Sequence, residues 1–421
     1  MKEVIKVRGG RRLAGTVKVE GAKNSALKLM AATVIGAGCS TIENVPDIAD
    51  VDIMAQVLTT LGAKVERGDH KLIIDTSALD SYETPYELVA KMRASISILG
   101  PLIARYGCAK VAMPGGCQIG SRKLDMHIAG LESLGVQFET SHGFIHASTP
   151  NGLHGADFML EFPSVGATEN LMMAGIAAKG ETIIDNAARE PEIVDLANML
   201  NAMGACVEGA GSPTIHIEGR NDFHPCVHRT VGDRIEAGTF LVAGALCGDG
   251  VTVLGADPKH LNLPIRKLRQ MGCEVETGDD GAITIKRHGE IIPADIQTLP
   301  FPGFPTDLQA QFMALSAIAN GASVITENVF ENRFMFASEL TRMGADIRLE
   351  GHHALIQGVR QLSGAPVASP DLRGGAALVL AGLVAEGETV VSAIEHIDRG
   401  YERYVQKLAA LGADIERCPA L

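Results

Sequence analysis

Two hydrophobic patterns alternate along the chain. One is amphipathic: in VDIMAQVLTTLG, IVDLANMLNAMG and YERYVQKLAALG, apolar residues recur three and four positions apart, which predicts a helix with one buried face. The other is apolar almost all round and rich in alanine. SALKLMAATVIGAG, SISILGPLIARYG, TENLMMAGIAAKG, TFLVAGALCGDG, LQAQFMALSAIANG and AALVLAGLVAEG predict helices buried on every side. Each of these leads from a glycine into a β-prone run: STIENV, AKVAM, TIIDN, VTVLG, SVITEN or TVVSA. The amphipathic helices end at Leu-Gly or Met-Gly before another such run, in LGAKVE, LGVQFE, MGACVE, MGCEVE, MGADIR and LGADIE. Those glycines (Gly62, Gly135, Gly204, Gly272, Gly344 and Gly412) stand 68 to 73 residues apart. The chain therefore reads as six copies of one unit: helix, strand, helix, strand and usually one more strand. A glycine just beyond a last turn is expected in the left-handed conformation that ends a helix.

Length and composition set the larger frame. At 421 residues the chain exceeds the roughly 250 to 300 that one hydrophobic core serves, so two domains of three units each are expected. Apolar residues make up 46% and charged residues 21%, with 4% aromatics and no Trp, which indicates a folded chain with an aliphatic core. The start, MKEVIKVRGGRRLAG, has no apolar stretch behind its basic residues. No segment approaches the roughly 18 apolar residues of a membrane span, so a cytoplasmic protein is expected. Eight cysteines are scattered without a C-x-x-C pair or a Cys/His cluster, which argues against zinc and against a disulfide framework. The net charge of −13 disfavours a general affinity for nucleic acid or anionic membrane. Any anion bound here must be met by locally placed cations.

Just before each apolar helix stands a charged or capping group: Lys23-Asn24, Arg93, Ser164-Val165-Gly166, Asp233-Arg234, Asp307 and Asp371-Leu372-Arg373. For Ser164, Asp233, Asp307 and Asp371, capping of free N–H groups alone would account for the residue type. Cations are disfavoured at the positive end of a helix dipole. Lys23, Arg93, Arg234 and Arg373 therefore point to anions bound at helix starts. The loops between middle strand and outer helix carry Cys117 and Arg122, Arg189-Glu190, Arg333, and Asp398-Arg399. If equivalent loops fall on equivalent ends, these cations are expected to surround a small polyanion. In PGGCQIGSR, Cys117 is followed by Arg122 and Lys123, which should lower the thiol pKa from about 8.5. Free cysteine otherwise packs as a small apolar group. Glu190 has a plain reading too, as the partner of Arg189 in a solvated pair. No GxxxxGK-type phosphate loop is present.

GAKNSALKL, MRASISILGPL, PGGCQIGSRKLDMHI, FPSVGATEN, NAAREPEIVD, VGDRIEAGTF, FPTDLQAQF, TENVFENRF, PDLRGGAALVLAG and HIDRGYER together resemble the EPSP synthase-like enolpyruvyl transferase family, and within it the members acting on UDP-N-acetylglucosamine. The resemblance covers essentially the whole chain. It implies an α/β fold, a two-domain inside-out α/β barrel of six βαβαββ repeats. One domain is residues 21–230 with the catalytic cysteine loop, and the other is 1–20 with 231–421. It implies transfer of the enolpyruvyl group of phosphoenolpyruvate to the sugar 3′-hydroxyl, with release of phosphate, as the first committed step of peptidoglycan synthesis. No metal or organic cofactor is implied, since the enol phosphate already contains the activated carbon. Neither a nucleic-acid nor a membrane partner is expected, and a monomer is favoured.

By the same resemblance, Lys23, Arg122 and Arg399 hold the phosphate region of the donor, Arg333 and Arg373 hold its carboxylate region, and Arg93 is a further site cation. Asp307 is the base toward the 3′-hydroxyl and Cys117 the acid toward C3, the cysteine that the epoxide antibiotic fosfomycin alkylates. Asn24 orients substrate, and Asp371 with Arg399 completes the reacting groups. Ser164, Val165 and Gly166 offer backbone N–H groups to the diphosphate, and Val329 lies near the sugar. Glu190, Asp233 and Arg234 are carried over as further substrate-binding residues. Three alternatives remain open: an enzyme using shikimate 3-phosphate as acceptor, an RNA-processing enzyme built from related repeats, and a non-enzymatic six-repeat binding protein.

Overall fold

Gly62, Gly135, Gly204, Gly272, Gly344 and Gly412 have φ of +100°, +93°, +100°, +91°, +92° and +106°. Each ends an outer helix, as the left-handed region open to glycine allows. At Gly62, for example, the next residue's N–H reaches back from Ala63 to the Leu58 carbonyl at 3.0 Å. The computed structural model describes residues 3–89, 93–113 and 124–420, with backbone alone at 89 and 93–95.

The chain forms two compact units. The first runs from Gly21 to Val231; the second takes the N-terminal residues up to Glu20 and resumes at Gly232. Each has its own aliphatic core. The apolar helices form the middle of these cores, because a helix without a polar face has no side to give to water. In the second unit, helix Arg234–Cys247 is buried from Arg234 through Leu246, Leu372–Val384 from Arg373 through Leu383, and Gln309–Ser316 throughout. These three helices pack on one another. In the first unit, Leu99–Tyr106 packs on Val165–Gly175, and the 3-10 turn Arg93–Ile98 contacts both Val165–Gly175 and Lys23–Ala32.

Six sheets lie among the described residues. In the first unit, Val227–Arg229 runs parallel to Cys39–Glu43, which continues antiparallel through Lys71–Asp75 to Lys64–Gly68. The same order, one parallel pair and then two antiparallel pairings, recurs from Asp157–Met159 through Glu181–Asp185 and Thr214–Glu218 to Cys206–Glu208. In the second unit it recurs twice more, starting from Leu13–Lys18 and from Ile296–Gln297. One sheet departs from it. Cys108–Ala112, Phe144–Ser148 and Gln137–Ser141 make three antiparallel strands, with only a bridge from Glu83 to Lys110 in the parallel place. The last sheet keeps it, from Pro366–Ala368 parallel to Glu388–Ser392, with the chain's first strand in third place. That strand, Glu3–Arg8, sits between Glu388–Ser392 and Asp414–Pro419, with Ile5 opposite Val391 and Arg417. The strands alternate in burial, as Cys39–Glu43 and Ala322–Thr326 do, so each sheet covers the helices with one face only.

No helix among the described residues is long and apolar enough to cross a membrane.

Candidate functional site

In the second unit, Asp307, Arg333 and Arg373 meet. Arg333 Nη2 donates to Asp307 Oδ1 at 2.8 Å, and Arg373 donates to Oδ2 from Nη2 at 3.0 Å and from Nε at 3.3 Å. Both arginines are buried, while the Asp307 side chain is 24% exposed. Burial works against the Arg373 charge, but Asp307, Tyr401 and Asp233 outweigh it and hold its pKa above the ordinary guanidinium value. Arg373 Nη1 is buried without a hydrogen-bond partner among the described residues. A buried unpaired donor on a cation is costly, and an anion satisfies it.

The expectation that Asp307 acts as a helix cap is corrected by this geometry. Residues Thr306–Leu308 form a 3-10 turn ahead of helix Gln309–Ser316, and neither start has a side-chain cap. Asp307 thus sits a turn early, and its carboxylate goes to the two arginines. Asp233 and Asp371 do cap. Asp233 Oδ1 accepts from Ile235 N at 2.8 Å and Glu236 N at 3.0 Å, and Asp371 Oδ1 from Arg373 N at 2.8 Å and Gly374 N at 3.0 Å. Arg234 is buried with its guanidinium carbon 5.6 Å from the Phe301 ring centroid. Arg399 is half-buried just after the four-residue helix Glu395–Asp398, an element where a loop was expected. Asp398 itself pairs with Arg417 at 2.8 and 2.9 Å.

Glu327 was not singled out from the sequence. This buried carboxylate accepts Thr298 Oγ1 at 2.9 Å, Val329 N at 2.8 Å and Phe330 N at 3.1 Å, and its other oxygen accepts Thr306 Oγ1 at 2.9 Å. It ties the segment carrying Val329 and Arg333 to the residue before Asp307. Its partners at 298 and 306 are distant in sequence, so no local spacing reveals it.

In the first unit, Lys23 is the first residue of helix Lys23–Ala32, and its Nζ stands 2.8 Å from Asp50 Oδ2, with the side chains 11% and 1% exposed. Asn24 follows, half-buried. Ser164 caps helix Val165–Gly175 by accepting from Ala167 N at 3.4 Å. A Cβ on Gly166 would lie 3.1 Å from the His127 ring, so a larger residue there would crowd it. Asn170 ties the neighbouring turn in place: its Oδ1 accepts from Gly100 N at 2.8 Å, and its Nδ2 donates to Ile96 O at 3.3 Å. That turn begins at Arg93. The Arg93 side chain, Cys117 and Arg122 lie outside the described residues.

The solvated-pair reading of Glu190 is also corrected, since Glu190 is buried at the start of helix Pro191–Ala202. There it belongs to an acidic group with Glu169 and Glu192. Burial, with those two carboxylates adding, pushes Glu169 up to about 7 against the pull of Lys28, whose Nζ is 2.7 Å away. Among the described cysteines, burial pushes the Cys247 thiol up to about 12, Cys273 to about 11, and Cys226 upward as well, which makes them poor nucleophiles at neutral pH.

A family model described as EPSP synthase (3-phosphoshikimate 1-carboxyvinyltransferase) matches residues 7–408. The chain is 52% identical, over 98% of both chains, to UDP-N-acetylglucosamine 1-carboxyvinyltransferase 2 of Carboxydothermus hydrogenoformans. It is also 52% identical, over 99% of both chains, to the UDP-N-acetylglucosamine 1-carboxyvinyltransferase of Mycobacterium tuberculosis. Among solved structures it is similar to the enolpyruvyl transferase NikO from Streptomyces tendae, with a TM-score of 0.90 and 26% identity over 100% of both chains. An EPSP synthase from Acinetobacter baumannii shares the fold, with a TM-score of 0.76 at 18% identity over 99% of this chain and 100% of that one. This chain belongs to the enolpyruvyl transferases of the EPSP synthase family, in the branch of the UDP-N-acetylglucosamine 1-carboxyvinyltransferases.

Proposed function

We propose that the chain transfers the enolpyruvyl group of phosphoenolpyruvate to the 3′-hydroxyl of UDP-N-acetylglucosamine. The observation that carries this reading is Asp307 flanked by buried Arg333 and Arg373. Two guanidinium groups on one carboxylate leave one positive charge and several N–H donors over, which suits the carboxylate of the donor. In the addition, a proton goes to C3 of the enol phosphate while the 3′-oxygen bonds to C2 and gives its proton to Asp307. In the elimination, C3 returns a proton, the C–O bond to phosphate breaks, and the double bond re-forms. Cys117 delivers the C3 proton. Lys23, Arg122 and Arg399 hold the phosphate, and Arg93 adds a further cation. Asn24, Asp371 and Arg399 position the reacting groups. Ser164, Val165 and Gly166 meet the diphosphate at a helix start, and Glu190, Asp233, Arg234 and Val329 complete the nucleotide-sugar site.

The six sheets read as six copies of one βαβαββ unit, three to each domain of an inside-out α/β barrel, with the catalytic cysteine loop in the 21–230 domain. The reaction then stands at the first committed step of peptidoglycan synthesis in the cytoplasm, carried out by a monomer without cofactor. The test is phosphate release from phosphoenolpyruvate with UDP-N-acetylglucosamine and shikimate 3-phosphate offered separately. Release is expected with the nucleotide sugar alone; turnover with shikimate 3-phosphate instead would reassign the acceptor.

A further inference from the structure

Tyr401 lies buried under the guanidinium of Arg373, whose central carbon is 5.3 Å from the ring centroid. Its hydroxyl belongs to a buried network whose proton directions follow from counting. Thr239 Oγ1 donates to Ile235 O at 2.8 Å, one turn back in its own helix. A hydroxyl has one proton, so in the 2.9 Å contact between Thr239 Oγ1 and Tyr401 Oη the phenol is the donor. Gln311 Nε2 has two protons, and it lies 3.1 Å from both Tyr401 Oη and Thr239 Oγ1. Burial pushes the phenol pKa up, so the proton stays on Tyr401. The ring also packs against Tyr404, centroid to centroid 4.9 Å, and Tyr404 Oη donates to Ala376 O at 3.2 Å in helix Leu372–Val384, which carries Arg373 in its first turn.

We propose that Tyr401 is a positioning residue for the reaction: it fixes the plane of Arg373 so that the guanidinium presents its donors to the carboxylate of phosphoenolpyruvate. A satisfied phenol buried in a core needs no such role. What distinguishes this one is its direct contact with the guanidinium of an arginine that already holds Asp307. Thr239 and Gln311 come from the two central helices that pack on the Arg373 helix, so the network references the guanidinium to the rigid middle of the unit. The inference rests on the reading above that Arg373 meets the donor.

The experiment compares the full-length enzyme with Tyr401→Phe, Thr239→Val and Arg373→Gln, taking KM for each substrate separately, kcat, and Tm. Tyr401→Phe should raise KM for phosphoenolpyruvate about fivefold, as for one lost buried hydrogen bond, with KM for UDP-N-acetylglucosamine and kcat within about twofold. Should that variant not fold, Thr239→Val removes the acceptor of the phenol proton and should raise the same KM about twofold. A merely structural phenol would lower Tm and shift both KM values together, which overturns the proposal. No change with Tyr401→Phe while Arg373→Gln raises KM for phosphoenolpyruvate overturns it too, and leaves the function intact. No change with either variant removes Arg373 from the donor site and the proposal with it.

Discussion

The two units treat the cations at their central helices differently. In the second unit one carboxylate, Asp307, is shared by two arginines from separate segments. In the first, Lys23 faces an almost fully buried carboxylate, Asp50, across 2.8 Å. The shared arrangement has a positive charge in excess and guanidinium donors to spare, whereas the lysine and its partner make a neutral pair. A site built to take up an anion needs the first kind of imbalance. A charge held in place for later use fits the second. The difference teaches that residues alike in type and in position at a helix start need not do the same work.

Replacing Asp307 attacks the contrast where it is largest. Asp307→Asn keeps the shape but removes both the proton acceptor and the anion between the arginines. We expect kcat to fall about 10²- to 10⁴-fold, as for loss of a general base, without a rise in KM for phosphoenolpyruvate. Phosphate-release kinetics would read this. A loss of less than tenfold would leave Asp307 as an ion-pair partner only. The corresponding change in the first unit, Asp50→Asn, should act on stability instead. It leaves the Lys23 ammonium facing a neutral amide and should cost about 3 kcal/mol in urea unfolding. A cost below about 1 kcal/mol would mean that water already reaches the pair.

How far all this could be read from the sequence depended on the range of each interaction. The six helix-ending glycines were legible because a left-handed backbone leaves its mark on a single residue type. Asp233, Asp371 and Ser164 were legible because a cap bonds two or three residues along its own chain. Asp307 has the same residue type in a similar place, but the 3-10 turn of Thr306–Leu308 moves it away from the capping position, and its partners at 333 and 373 are far along the chain. Glu327 and Tyr401 escaped for the same reason, the latter bonding Thr239 across 162 residues. Cys117 and Arg122, the most specific motif in the sequence, lie outside the described residues.

The units also share a feature, and it offers a pH test. Each has a fully buried glutamate beside a lysine at 2.7 Å: Glu169 with Lys28 in the first, Glu236 with Lys407 in the second. Burial, the largest cause, raises each from its usual 4.5 to about 7, against the pull of the lysine. The folded state therefore keeps a proton that the unfolded chain loses near pH 4.5. Stability from this source is present at low pH and is lost as pH rises through about 7, by up to about 3 kcal/mol for each group. Glu169→Gln and Glu236→Gln each fix the neutral form. The fall in unfolding free energy between pH 5 and pH 8 should shrink in either variant, and more in the double variant. An unchanged slope would place the titration elsewhere.

The smallest expected effect separates how the units anchor their helix starts. In the second, a phenol network steadies Arg373. In the first, the carboxylate of Asp195 steadies the start of Lys23–Ala32: Oδ2 accepts Ser25 Oγ at 2.5 Å and Val231 N at 3.0 Å, and Oδ1 faces His228 Nε2 at 2.8 Å. Ser25 stands in the first turn, two residues after Lys23, and Val231 is the last residue of this unit. Ser25→Ala removes one of three contacts and leaves the carboxylate with the other two. The expected cost is therefore that of a single net hydrogen bond, about 1 kcal/mol. Asp195→Ala strands a buried hydroxyl and a backbone N–H together, and should cost about twice that or more. Urea unfolding of both variants would show it. Equal costs for the two would mean that Ser25 is the only contact that counts, and that Asp195 does not join the helix start to the end of the unit.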